Sequence, residues 1–470
     1  MNALFEKILP RTLFAFILLL LLSCTTAIQP PTDNVMMGPP ADTTVYAARL
    51  DSYVCPTRLG KLCEAYGLIR TRYIRHFSDD ELTGMFVRGV TQKIRESNPS
   101  FVFNDKEIHK AKFTCSPNAQ KICDAYDSVK DRYKKPVFDK HLIEMFINGV
   151  IDVINETDPY TRYASTVEKN VDYMQYPGIG IIATKENVFP SDLKIQVVKE
   201  YNPAWFARLK RGDRISRVNG ISVSYMTKRE ANALIRGKVG TRVRLTVISG
   251  CEQKIRTVSL IRKDTRDVMS GEVKVLDGRY GYVRLAEFNI ASALTIQLSI
   301  EQFEKEHGTM KGLVLDIRND PGGAPIEANK LVSLFVKKGP IFFEQGQNGK
   351  LVAWDVIKGS KDILRGGPIV VLVNGDSASA SEITAGAFQD LKRATIVGTE
   401  TYGKGCMQTK YTFKDGSQFD LTRAHTITPK HKNIDKKITP DVVVAEGANE
   451  SCTGDEQLAT ALRILREKGG

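Results

Sequence analysis

The chain has 470 residues, 42% apolar and 26% charged, with a formal net charge of +13. That length and balance describe a globular chain of about three domains, long enough to bury several cores. The Lys and Arg residues are scattered among acidic ones without a run of five, which argues against a nucleic-acid stripe and fits attraction to an anionic membrane surface or to acidic partners.

Lys7 and Arg11 precede ten apolar residues, Leu13 to Leu22. The stretch is too short to span a bilayer and reads as the core of a signal peptide, residues 1–23. Leu21-Leu22-Ser23-Cys24 resembles the bacterial lipoprotein box, which implies that Cys24 is lipidated and becomes the first mature residue. The alternative is cleavage near Ala27 and a product without a lipid. Thr25 stands where an Asp would resemble an inner-membrane retention signal, so the expectation is an exported, periplasmic protein anchored in the outer membrane. Residues 24–48 are Pro-rich and polar, without an apolar period, and read as a tether.

Residues 49–170 contain a repeat. Cys55 and Cys115 are 60 apart, and so are Cys63 and Cys123, Tyr66 and Tyr126, Phe86 and Phe146, and Gly89 and Gly149. No gap is needed, so chance is a poor explanation. Leu82, Met85, Phe86 and Val90 fall at helical spacing, as do their counterparts, so each copy is predicted to be a small helical unit. The Cys at i and i+8 suggest a disulfide within each copy; bridges between copies, or free thiols, stay open.

Residues 172–265 hold Gly178-Ile179-Gly180-Ile181, short β-rich runs, Arg211-Gly212-Asp213, a helix near Glu230 to Arg236 and the strand Val243 to Val247. This order resembles a PDZ domain of the bacterial protease type. Gly178 and Gly180 let backbone N–H groups receive a terminal carboxylate, and the strand edge from Ile179 to Ile181 can pair with a peptide. Arg208 departs from the family, which places Gly there to relax a left-handed helix end.

Residues 266–446 alternate strands (Tyr280 to Leu285, Leu313 to Ile317, Ile369 to Val373, Ala394 to Val397) with helices, the last helix starting near Ser379. This implies an α/β domain with right-handed crossovers. Residues 447–470 are read as a C-terminal tail.

Ser377-Ala378-Ser379-Ala380-Ser381-Glu382 follows a buried strand, and a hydroxyl at a helix start can attack a carbonyl while N–H groups face the oxyanion. Alone, the run could simply cap a helix. Together with Arg318-Asn319-Asp320-Pro321-Gly322-Gly323 and Gly403-Lys404-Gly405-Cys406-Met407-Gln408, it resembles the catalytic core of the C-terminal processing (tail-specific) serine peptidases, from about Tyr66 to Asp441. The resemblance implies Ser379 as nucleophile, Lys404 as base and Gln408 as the lysine's partner. It also implies oxyanion donors at Ala380 and at Gly322 or Gly323, and a ββα-spiral core related to the crotonase and Clp folds with the PDZ domain inserted. A lysine base must be neutral, so its pKa must fall from about 10.4 to near 7, a cost of about 4 kcal/mol that burial can impose. A neutral Gln orients such an amine with less penalty than an Asp.

None of the six His sits in a comparable strand-end motif, which disfavours a Ser-His-Asp triad; Cys406 reads as a small buried residue, and no metal or cofactor is expected. The expected partners are the C-terminal tails of exported proteins and a membrane reached through the lipid, with an oligomer or an adaptor lipoprotein left open. The rival reading is a catalytically degenerate PDZ-containing envelope scaffold. The presence of Ser379, Lys404, Gln408 and the glycine pair weighs against it.

Overall fold

The computed structural model describes residues 52–103, 105–133, 139–165, 177–185, 190–198, 202–250, 253–265, 273–445 and 454–469. The signal segment, Cys24, the tether, Cys251 and Cys452 lie outside the described residues. Among the described residues no helix is long and apolar enough to cross a membrane.

The repeat folds as two helical hairpins, Gly60–Arg72 with Asp79–Ser97 and Gln120–Tyr133 with Asp139–Asn155. In the first, Ser78 and Glu81 form a capping box that starts the second helix. The 60-residue offset is repeated in the contacts. Tyr66 packs on Phe86 and Tyr126 on Phe146, each with ring centres 5.7 Å apart, and both phenols donate to the helix-start carboxylates Asp79 and Asp139. The hairpins cross at Gly89 and Gly149, where a Cβ on Gly89 would lie 2.1 Å from the carbonyl carbon of Gly149. Each disulfide closes within its own copy, Cys55–Cys63 and Cys115–Cys123, although Cys55 Sγ comes within 3.4 Å of Cys123 Sγ.

The central sheet has the order Val273–Leu276, Tyr280–Arg284, Gly312–Asp316, Ile369–Val373, Thr395–Gly398 and Val442–Val443, parallel except for the first pair. Both faces are covered, so the strands read as continuous apolar runs. Leu313, Leu315, Val371 and Val373 share one core with Ile300, Leu331 and Ile383 of three helices. Val314, Val370 and Leu372 face the other way, onto Ala461 and Leu465. Those two residues belong to a helix, Glu456–Gly469, in the stretch expected to be a tail. The correction has a simple cause: Leu458, Ala461, Ile464 and Leu465 form an apolar stripe at helical spacing, and the sheet offers an open apolar face to bury it.

A second sheet runs Arg162–Ala164, Gln418–Ile427, Pro340–Gly346, Leu351–Asp355, with Cys406–Thr412 also paired to Gln418–Ile427. Its first strand leaves the helical hairpins, so the hairpins and the core share one sheet. The third sheet belongs to the segment between residues 177 and 265. There Arg208 takes the left-handed conformation at φ 55° without being Gly. Arg256 steadies that turn by donating to the carbonyls of Ala207 and Arg208.

Arg318 ties the core together. It is 1% exposed, and Asp316 accepts from its Nε at 2.9 Å and its Nη2 at 2.7 Å. Asp455, ahead of the last helix, accepts from Nη1 at 3.0 Å and Nη2 at 2.6 Å. Burial works to raise the Asp316 carboxyl, but the guanidiniums of Arg318 and Arg284 hold it well below the usual range. Removing one partner of a buried pair costs about 3–5 kcal/mol. Arg318→Met is therefore expected to lower unfolding stability by about that amount; a urea midpoint equal to wild type would refute the role given to the pair.

Candidate active site

The buried strand Ile369–Val373 delivers the chain to a turn fixed at several points. Asn374 N–H donates to Ser377 Oγ at 2.9 Å, Ser377 Oγ–H donates to the Ile317 carbonyl at 2.8 Å, and Ala378 N–H donates to the Asp320 carbonyl at 2.9 Å. Ser379 then sits at φ 57°, ψ −114°, directly before the helix Ala380–Asp390. Such a conformation costs a non-glycine residue about 1–3 kcal/mol and persists where the surroundings enforce it. A sharp strand-to-helix turn of this kind projects a serine hydroxyl away from the sheet.

The loop after Gly312–Asp316 packs on this turn. A Cβ on Gly322 would fall 2.5 Å from the Ala378 carbonyl oxygen and 2.8 Å from both Ala380 N and Ser379 Cβ, so only glycine fits. The two expected donors of this loop separate. Gly322 N–H is already donated to Asp320 Oδ1 at 2.8 Å, which corrects its assignment as an oxyanion donor in this conformation. Among the described residues, the N–H groups of Gly323 and Ala380 have no acceptor. Burial pushes the Asp320 carboxyl well above the usual range.

Lys404 lies between Gly403 and Gly405, just ahead of the strand Cys406–Thr412. Burial lowers its pKa, and the nearby Arg162 cation adds to the effect. A Cys406 thiolate would oppose this, but burial pushes that thiol up to about 12, so it stays neutral. Lys404 Nζ stands 5.2 Å from the ring centre of Tyr160, which the hairpin region contributes. Gln408 donates its Nε2 to the Cys406 carbonyl and to Thr422 Oγ1, both at 3.2 Å. Among the described residues nothing donates to its Oε1, the atom an amine would use.

The residue that joins these parts is Glu382, which is fully buried. Its Oε2 accepts Ser379 N–H at 2.9 Å and Lys404 N–H at 2.8 Å. Its Oε1 accepts Gly403 N–H at 2.7 Å and Thr401 Oγ–H at 2.5 Å. Burial pushes its carboxyl up and these four donors pull it back. The sequence reading gave Glu382 no role, yet Ser379 followed by Glu three positions later is the capping-box pattern that flags it.

The peptide-binding candidates reach the same place. Gly178, Ile179, Gly180 and Ile181 line a cavity of about 520 Å³ together with Tyr160, Ala378 and Lys404. Ile181–Thr184 is an edge strand, and it forms one wall opposite the helix Lys228–Ile235. Ile179 itself is buried in the core of its sheet, and Gly180 takes φ 78°. Ser379 is thus flanked by the cavity's Ala378 and joined to the base loop through one carboxylate oxygen.

A hydroxyl forced into a helix-start turn, and a half-buried amine on a loop tied to that turn through one carboxylate, are parts that a serine peptidase with a lysine base requires. Peptidase family S41 matches residues 279–444, and the PDZ domain matches residues 184–248. The carboxy-terminal-processing protease of Bartonella bacilliformis is 34% identical over 70% of this chain and 76% of its own length. The carboxy-terminal processing protease CtpA of Bacillus subtilis is 31% identical over 77% of each. Among solved structures, the photosystem II D1 C-terminal processing protease superposes with a TM-score of 0.53 at 23% identity, covering 88% of this chain and 98% of that one. A putative S41 protease of Bacteroides fragilis gives 0.54 at 16%, covering 86% and 97%. The chain belongs to peptidase family S41, among the carboxy-terminal processing proteases, and is a serine-type peptidase.

Glu382 touches no wall of the cavity, so its loss should act on catalysis and spare binding. Displacing a catalytic group by about 1 Å can cost 10²-fold in rate. Glu382→Gln is expected to lower kcat by about ten-fold or more with KM nearly unchanged; a change confined to KM, in steady-state assays, would contradict the bracing role.

Proposed function

We propose that the protein is an endopeptidase that captures the C-terminal tails of exported proteins and cleaves them with Ser379 and Lys404. Neutral Lys404 Nζ takes the proton of Ser379 Oγ as the oxygen attacks the scissile carbonyl. The negative oxygen of the tetrahedral intermediate is received by the N–H groups of Ala380 and Gly323. The lysine ammonium then passes its proton to the leaving amine, and an acyl-enzyme remains. Water, deprotonated by Lys404, attacks the ester, and the proton returns to Ser379. Gln408 Oε1 orients the amine between these transfers. The observation that carries the reading is the shared carboxylate of Glu382, whose Oε2 accepts the backbone N–H of both Ser379 and Lys404.

The tail enters along the groove between Ile181–Thr184 and the helix Lys228–Ile235. Its terminal carboxylate is received at Gly178 to Ile181, and its strand pairs with the free edge. The common cavity supports a route from this groove to the catalytic residues. We also propose that residues 1–23 direct export and that Cys24 carries lipid. Residues 24–48 then act as tether to the outer membrane, 49–170 as the helical region, 172–265 as the PDZ domain and 266–446 as the peptidase core. The mass of the mature protein tests the lipid: a chain starting at Cys24 with acyl groups supports it, and a chain cleaved near Ala27 without acyl groups removes it.

The tests of the chemistry are direct. Ser379→Ala and Lys404→Ala are each expected to abolish cleavage of an unstructured tail; wild-type turnover in either ends the dyad reading. Amidating the substrate's terminal carboxylate is expected to raise KM and leave kcat largely intact.

The pH dependence has a definite sign. The working form of Lys404 is neutral and burial lowers its pKa, so kcat falls as pH drops through that lowered value. The acidic limb should therefore lie well below about 10.4, the ordinary lysine value. A rate that keeps climbing through that ordinary value would show that Lys404 is not held from solvent.

A further inference from the structure

Lys404 is held on a second side. Asp435, in the short turn Ile434–Lys436, accepts Gly405 N–H on Oδ1 at 2.8 Å. Its Oδ2 lies 2.7 Å from His425 Nδ1, and its own N–H is fixed by Asn433 Oδ1 at 2.8 Å. The Gly405 carbonyl in turn accepts Thr426 N–H at 2.6 Å. Both glycines flanking Lys404 press on this turn. A Cβ on Gly405 would fall 2.6 Å from Asp435 N, and one on Gly403 would fall 3.1 Å from the Asp435 carbonyl oxygen. His425 stands opposite Cys406 in the strand register, so the pair sits one residue past the base loop.

We infer that Asp435 is a positioning residue for Lys404, with His425 packed against its second carboxylate oxygen. The inference rests on the reading of Lys404 as the base. Glu382 fixes the N–H groups of Gly403 and Lys404 from the helix side, and Asp435 fixes that of Gly405 from the turn Ile434–Lys436. Three successive N–H groups of the base loop are thereby committed to two carboxylates. That fixes the backbone from which the Lys404 side chain leaves.

The charges agree with the geometry. Burial works to raise the Asp435 carboxyl, but His425 and the Gly405 N–H hold it below its usual value. Asp435, with a smaller contribution from Asp158, raises His425 against the opposing effect of burial. Cys406, the other titratable group against the pair, is a neutral thiol. The pair is also a poor stability device. The side chains of His425 and Asp435 are 35% and 30% exposed, and accessible ion pairs add little to stability. A small displacement of a catalytic group, in contrast, can cost 10²-fold in rate. Its value to the protein is therefore placement.

The experiment uses the full chain with Asp435→Ala and Asp435→Asn, beside Ser379→Ala and Lys404→Ala. Two rates are read: cleavage of an unstructured tail, and phosphonylation of Ser379 by a fluorophosphonate, which reports hydroxyl activation without the tail groove. Asp435→Ala is expected to lower both kcat and labelling by about 10- to 100-fold, with KM within about two-fold and little change in the thermal midpoint. Asp435→Asn keeps an acceptor for Gly405 N–H but loses the charge on His425, and should fall between, near ten-fold below wild type. Wild-type labelling in either variant overturns the inference, and if Asp435→Ala fails to fold, the Asn variant decides alone. Wild-type rates in Lys404→Ala would instead remove the dyad reading, an outcome distinct from failure of the clamp.

Discussion

One buried carboxylate organises this site. Ser379 begins a helix and Lys404 precedes a strand, and 25 positions separate them in sequence. No shared element relates the two. Glu382 does so by accepting four hydrogen bonds, two from the base loop, one from the nucleophile's own N–H and one from Thr401. A buried carboxylate without partners would take up a proton. Four donors keep this one useful as an acceptor, and they also set its electrostatic effect. A free negative charge near Lys404 would favour the ammonium, and Glu382 does act in that direction. Desolvation outweighs it as the largest of the effects on the amine.

The same economy appears across the catalytic face. Burial pushes the carboxyl of Asp320, beside the Ser379 turn, well above the usual range, while the carboxyl of Asp316, four residues earlier at the end of the central strand, is held well below it against the effect of burial. The difference lies in their neighbours. Asp316 meets the guanidinium of Arg318 at 2.7 Å, whereas Asp320 Oδ2 has no hydrogen-bond partner among the described residues. The loop that follows Asp320 packs on the Ser379 turn, and among the described residues the N–H of Gly323 there has no acceptor.

Much of this was legible in the sequence, and the residues explain why. The repeat announces itself through an ungapped offset, and the structure returns it in matched Tyr–Phe and Tyr–Asp contacts. Ser379, Lys404 and the glycine pair stand out because glycine and strained turns are local requirements. What escaped reading depends on contacts distant in sequence. Arg318 reaches Asp455 across 137 positions, so a helix that completes the central sheet looks like a tail until that sheet face is known. The hairpin of Pro340–Gly346 and Leu351–Asp355 was also passed over, since its apolar run is short and its partner strand, Gln418–Ile427, lies far along the chain. The N–H of Gly322 could not be assigned from sequence either, because its acceptor is decided by which way Asp320 turns.

Lys404 is also coupled to the PDZ segment. It shares its cavity with Gly178 to Thr184 and with Tyr160, so the hairpin region, the PDZ segment and the core each supply part of the wall. The lowered pKa of its amine comes first from desolvation, so it depends on all three segments that build this wall. A change in the hairpin or PDZ segment that admitted water to the amine would therefore act on Lys404 without touching the core.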